Sequence, residues 1–230
     1  MSLPAATPPP DGQVQAGRKP LLVAVLASGN GTNLQALIDQ VHGREGIQIV
    51  AVASDNPDAR ALERATGAEI ATAVFTLEQH GGDGSLRDRE MAIWLRDRGV
   101  QLVVMAGYMQ RVTNEFLDRF PDGVINVHPS LLPAFSGLGA VDQALAYGVK
   151  VFGVTVHFVD EGMDSGPVIM QRAIELPDAR EPDDVWPQIH AIEYQILPEV
   201  VRLFARGAVR IASLQPRRVL IGPLAVLPEQ

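Results

Sequence analysis

Short apolar runs alternate along this chain with segments of helical period. LLVAVLA (21–27) is apolar throughout and stops at Ser-Gly-Asn-Gly, which predicts a strand buried on both faces. TNLQALIDQV (32–41) then sets Leu34, Leu37, Ile38 and Val41 at helical spacing. IQIVAVAS (47–54) predicts a second buried strand, closed by the turn residues Asp55-Asn56-Pro57. A helix is expected over 58–67, ending at Gly67, and a weaker strand over 69–74. Residues 85–99 predict a helix with Leu86, Met91, Ile93, Trp94 and Leu95 toward one side, and QLVVMAG (101–107) another buried strand. This alternation implies a parallel sheet with right-handed crossovers.

The second half continues the pattern. GVINVHP (123–129) is a short strand with a polar tip, and 137–148 reads as a helix. Strands are expected over 151–160 and 167–176, separated by the loop EGMDSG. A long helix covers 183–207, where Pro187 and Pro198 predict a break or an early-turn placement. The segment 208–230 suggests a hairpin or an edge strand, and no internal repeat is visible. Residues 1–20 carry five prolines and no useful period, which predicts a disordered leader. A signal peptide would need a basic start and an apolar stretch of about 7–15 residues, and neither is there. No apolar run approaches the roughly 20 residues that span a bilayer, so a cytoplasmic location is expected. The fold class expected is α/β: one domain over 21–207, a mostly parallel twisted sheet with helices on both faces.

Composition narrows the chemistry. The chain has 230 residues, 47% hydrophobic and 20% charged, a globular balance. It has no cysteine, which excludes disulfide scaffolds, thiolate metal sites and a cysteine nucleophile together. Aromatic residues at 5% and a net charge of -8 argue against nucleic-acid and anionic-lipid partners.

The loop between the first strand and first helix, ASGNGTNLQAL, has the physics of an anion site. Its glycines let the backbone approach, the helix start presents free N–H groups, and Thr32 or Asn33 can cap. It lacks the ending of a Walker loop and the third glycine of a dinucleotide fingerprint. A monophosphate site is the best reading. A purely structural turn remains open, as does a dinucleotide site that uses Asp55.

INVHPSLLP (125–133) is the most informative stretch. Asn126 and His128 are two apart on a strand, so their side chains share a side. Asn offers a donor to a developing oxyanion, and His is the usual acid–base group near neutrality. Asp164, in the turn EGMDSGP, is a candidate to orient a histidine and relay protons, although Asp is common in turns for local reasons. His157 reads as a strand residue satisfied in the core. His190 and Glu193 face the same side of a helix, but the scattered histidines argue against zinc, and no metal is expected. No serine sits in a G-x-S-x-G elbow.

These residues carry a resemblance. SGNGTNLQAL (28–37), AGYM (106–109), INVHPSLLP (125–133) and VTVHFVDEGMDSGPVIMQ (154–171) resemble the phosphoribosylglycinamide formyltransferases, folate-dependent enzymes of purine synthesis, from about Leu21 to about Gly207. The resemblance implies a Rossmann-like formyltransferase fold and catalytic roles for Asn126, His128 and Asp164. It implies that Gly31, Thr32 and Asn33 hold the substrate phosphate, and that His190 and Glu193 contact glycinamide ribonucleotide. Met109, Gln110, Arg111, Val112 and Asp160, with Asn126 and Asp164, would surround the folate. The cosubstrate implied is 10-formyltetrahydrofolate, with no metal. The partners implied are these two small molecules, no nucleic acid and no membrane, and a homodimer is left open.

The chain departs from the family in places. Gly139-Ala140 stands where a histidine is usual, and Gln110-Arg111-Val112 where Arg and an aliphatic pair are typical. An arginine usual before the helix at 85–98 has no clear match; Gly84 stands near it, with Arg87 as a candidate substitute. Two other functions stay in view: a formyltetrahydrofolate hydrolase, and a non-catalytic nucleotide-binding module. The second explains the glycine loop but not the trio of Asn126, His128 and Asp164.

Overall fold

Alternation within each strand decides the architecture. In β1 (Leu21–Leu26), Val23 and Val25 enter one apolar cluster while Ala24 and Leu26 enter another, on the opposite face. β4 (Leu102–Met105) divides the same way, Leu102 and Val104 against Val103 and Met105. Period-two geometry therefore buries these strands on both faces, which is why their sequences are unbroken apolar runs.

The computed structural model describes residues 19–212 and 217–222. The leader expected over 1–20 lies outside the described residues apart from Lys19 and Pro20. A seven-stranded sheet has the order β3-β2-β1-β4-β5-β6-β7. It is built from β1, β2 (Ile47–Ser54), β3 (Ala71–Val74), β4, β5 (Val124–His128), β6 (Val151–Phe158) and β7 (Val168–Glu175). One face is covered by α1 (Thr32–Gln40), α2 (Arg60–Gly67), α5 (Ala140–Tyr147) and α6 (Pro182–Ala205). The other is covered by α3 (Gly84–Arg96) and the short α4 (Asn114–Leu117).

The first five strands are parallel, but β6 runs antiparallel to β5 and to β7. The sheet is thus mostly parallel. This is the mostly parallel sheet that was expected, with the antiparallel pairings confined to β6 and its two neighbours. The chain winds outward from β1 to β3 and then returns to place β4 on the other side of β1. That reversal opens a crevice beyond the carboxyl ends of β1 and β4. Beyond Gly207, β8 (Val209–Ala212) and β9 (Arg218–Ile221) pair antiparallel as a separate ribbon. Among the described residues no helix is long and apolar enough to cross a membrane.

Two expectations for helices need correction. α6 runs unbroken through Pro187 and Pro198. Pro182 occupies its first turn, and Glu181 and Asp184 form a reciprocal capping box there. Pro198 cannot donate to the Tyr194 carbonyl four residues back, and Gln40 Nε2 of α1 donates to it at 2.8 Å instead. A neighbouring side chain thus replaces the bond that proline removes. In α3 the exposed apolar residues are Leu86 and Ile93, at 43% and 44%. Its buried side is Arg87, Asp88, Met91, Ala92 and Leu95, so an ion pair sits where an apolar stripe was expected.

Candidate active site

A cavity of about 680 Å³ fills the crevice. Its size is that of a pocket for a cofactor-sized ligand. The glycine loop after β1, the segment after β4, the end of β5, the loop 160–164 and the inner side of α6 line it. Every expected site residue is on that lining: Gly31, Thr32 and Asn33; Met109, Gln110, Arg111 and Val112; Asn126 and His128; Asp160 and Asp164; His190 and Glu193.

The catalytic candidates meet through sheet register. Asn126 pairs with His157, and His128 with Thr155, across β5 and β6. His157 was expected to be a satisfied core residue. It is buried, and its Nδ1 lies 2.8 Å from the Phe158 carbonyl. A carbonyl only accepts, so that nitrogen carries the hydrogen. Nε2 is then free to accept from Asn126 Nδ2 at 3.2 Å, and it stands 3.6 Å from Asp164 Oδ1. His128 repeats the arrangement. Its Nε2 lies 2.9 Å from the Phe135 carbonyl, and its Nδ1 faces Asp164 Oδ2 at 3.5 Å. Each ring is therefore fixed by a backbone carbonyl and turns its other nitrogen toward one carboxylate.

Asp164 has a left-handed backbone, φ 51, and Oδ2 accepts the Gly137 N–H at 2.7 Å. The adjacent His157 ring and the Gly137 bond hold its carboxyl down at about 2, against the opposing effect of burial. The turn that presents it is locally built. Asp160 Oδ1 accepts from the Gly162 N–H at 3.1 Å and the Ser165 hydroxyl at 2.7 Å. A Cβ on Gly166 would overlap the Phe158 carbonyl, so only glycine closes the turn.

On the opposite side of the cavity, Gly31 is the N-cap of α1, with φ 68 and no side-chain cap. Neither Thr32 nor Asn33 caps the helix as expected. Asn33 instead donates its Nδ2 to Glu193 Oε2 at 2.9 Å, and its Oδ1 is buried without a partner among the described residues. Burial pushes the Glu193 carboxyl up to about 7, and the Asn33 bond opposes this. His190 stacks between Trp186 and Tyr194 on α6, with ring centroids 5.3 and 5.9 Å away, and burial lowers its pKa.

The wall at 109–113 has supports that sequence reasoning missed. Ser28 Oγ donates to Asp55 Oδ1 at 2.5 Å and accepts the Met109 N–H at 2.8 Å. Asp55, a candidate ribose ligand in the dinucleotide reading, is thus engaged inside the protein. Arg87 is 2% exposed and bonds Asp88 and the Arg111 carbonyl, while Asp88 Oδ2 accepts the Thr113 N–H at 2.6 Å. Arg87 therefore braces the wall from behind and is not a substitute for a cavity-facing arginine. Arg111 donates to the Glu161 carbonyl at 2.8 Å, which ties this wall to the Asp164 loop. The sequence shows only an adjacent Arg87-Asp88 pair, and nothing in chain order ties it to this loop. Among the described residues no cluster of His, Cys, Asp or Glu is arranged to hold a metal ion.

The pattern of the formyl transferase family matches residues 21–201. The chain is 38% identical over 180 residues to a phosphoribosylglycinamide formyltransferase of Bacillus subtilis (strain 168), covering 78% of this chain and 92% of the relative. It is 38% identical over 209 residues to that of Mycobacterium tuberculosis (strain ATCC 25618 / H37Rv), covering 88% and 95%. Among solved structures, glycinamide ribonucleotide transformylase 1 from Symbiobacterium toebii superposes with a TM-score of 0.82 at 43% identity, over 88% of this chain and 94% of that one.

Proposed function

The chain belongs to the formyl transferase family, and on that premise we propose that it transfers the formyl group of 10-formyltetrahydrofolate to the amine of glycinamide ribonucleotide, in the cytoplasm. Residues 21–207 carry the reaction. The observation that carries this reading is the convergence of Asn126, His128, His157 and Asp164 on one cavity that also holds the glycine loop and Glu193.

The chemistry follows from those groups. The amine nitrogen attacks the formyl carbon, and the carbonyl oxygen becomes an oxyanion. The Asn126 amide has a second N–H beyond the one directed at His157, and that donor serves the oxyanion. His128 supplies the companion donor once a ring nitrogen leaves its protein partner for the substrate. A new carbon–nitrogen bond forms to the acceptor, and the bond from the formyl carbon to folate N10 breaks. The amine loses one proton and N10 gains one. Asp164, ionised and set between two imidazoles, is placed to sustain that transfer.

At the other end, the N–H groups of the glycine loop and α1 suit the acceptor's phosphate. Glu193 and the unpartnered Asn33 Oδ1 suit hydroxyl donors of the ribose. His190 adds a polar edge beside them. Met109, Gln110, Arg111, Val112 and Asp160 border the folate.

A spectrophotometric assay of tetrahydrofolate release, with and without glycinamide ribonucleotide, tests the proposal. Acceptor-dependent release is expected. Release at the same rate without acceptor would make the protein a hydrolase and overturn the reading.

A further inference from the structure

Helix α2 grips the glycine loop from behind. The Ala61 N–H donates to the Gly29 carbonyl at 3.1 Å, and Arg64 Nε donates to the Asn30 carbonyl at 2.8 Å. Arg64 Nη1 also donates to Gln35 Oε1 of α1, at 3.0 Å. Gly31 lies so close to α2 that a Cβ there would stand 2.7 Å from Ala61 Cα.

The planar trans peptide turns this grip into direction. In each peptide unit the C=O and the next N–H point opposite ways. Holding the Gly29 oxygen against α2 turns the Asn30 N–H away from α2. Holding the Asn30 oxygen does the same to the Gly31 N–H. The loop's other side is the cavity, which Gly29 to Asn33 line. Among the described residues neither N–H has an acceptor. Asn33, 8% exposed, leaves its Oδ1 unpartnered beside them, an acceptor for a hydroxyl of the ribose that carries the phosphate. Arg64 forms no ion pair among the described residues, so its charge is not cancelled by a carboxylate.

We propose that Arg64 is the positioning residue for the acceptor's phosphate: it holds the glycine loop with adjacent N–H groups turned to the anion and sets a permanent positive charge behind them. This rests on the formyl-transfer reading above. Arg64 touches the loop, not the phosphate, and acts through it. A guanidinium is required because it meets the Asn30 and Gln35 oxygens with separate N–H groups in a fixed plane.

Steady-state kinetics with glycinamide ribonucleotide and with its dephosphorylated riboside test the proposal. Arg64→Ala is expected to raise KM for the phosphorylated acceptor about 10-fold or more, the scale of a lost charge-assisted bond. KM for the folate, kcat, and kcat/KM on the riboside are expected to hold. Arg64→Lys keeps the charge but reaches one oxygen, and an intermediate KM is expected. If Arg64→Ala does not fold, Gln35→Ala removes one support of the same guanidinium and is expected to give a smaller rise with the same selectivity. Equal losses on both acceptors, an unchanged KM, or full recovery by Arg64→Lys would each overturn the proposal. Failure of the underlying reading looks different: wild-type protein would then show no transfer to the ribonucleotide at all.

Discussion

The side-chain amide of Asn33 donates to the Glu193 carboxylate at 2.9 Å, joining the glycine loop to α6 across 160 residues of sequence. Both residues are nearly closed off from solvent. A buried acid held by a single neutral donor is costly to ionise, and that cost has a measurable pH dependence.

Burial raises Glu193 from 4.5 to about 7. The folded chain therefore keeps a proton that the unfolded chain releases. The contribution to stability is complete below 4.5 and is lost as pH rises toward about 7. Glu193→Gln keeps an acceptor for Asn33 and carries no charge. It is expected to melt above the wild type at about pH 8, by at most about 3 kcal/mol, and level with it near the acidic end of the window. Thermal melts across that range check this; a gap that does not change with pH counts against it.

Asp164 lies far on the other side of its ordinary range, at about 2, and stays ionised throughout the neutral region. Asp164→Asn keeps the size and removes the charge facing His128 and His157. It is expected to lower kcat by at least ~10²-fold, the usual scale for lost acid–base catalysis, and His128→Ala by a similar factor. Near-wild-type turnover by either variant removes that residue from the mechanism. Acid melts give a second readout. The stabilisation from Asp164 is present above 3.8 and fades as pH falls toward about 2, and Asp164→Asn should erase it.

Gly31 cannot take a side chain without strain. Its φ is 68, and a Cβ would stand 2.7 Å from both Cα and Cβ of Ala61. Gly31→Ala must push α2 and the loop apart. It is expected to cost about 1–3 kcal/mol of stability and to raise KM for the phosphorylated acceptor more than KM for the folate. Chemical denaturation and paired KM measurements report the two effects; equal changes in both KM values would detach the loop from acceptor binding.

Much of the fold was legible because its strands are buried on both faces. Runs such as 21–27 and 101–107 have no other comfortable home than a central strand. The direction of β6 was not legible, since apolar alternation is the same read either way. The continuity of α6 was hidden for a related reason. Pro198 looks like a breaker until Gln40, far away in sequence, supplies the replacement donor.

The candidate site divides along similar lines. Asn126 and His128 announced themselves by sharing a strand tip, and Asp164 by its glycine-flanked turn. His157 did not, because a histidine in an apolar strand looks like a core residue until the pairing partner is known. Arg87 and Ser28 were invisible as supports because each acts on backbone atoms of a distant loop. Sequence shows which groups are present, whereas backbone hydrogen bonding across the fold shows which are already engaged.

The antiparallel register of β5 and β6 sets a limit on how this protein can change. Asn126 faces His157 through that pairing. Adding or deleting one residue at the start of β6 would turn His157 to the α6 side and bring Val156 or Phe158 into its place. The pairing of β6 with β7 already carries an irregularity between Val156 and His157, on the side away from β5. An extra residue, Ile169, is thus accommodated on β7, toward the outer edge of the sheet. Families of such sequences should vary freely in loop length around 176–181, and remain fixed in count between Thr155 and Asp164.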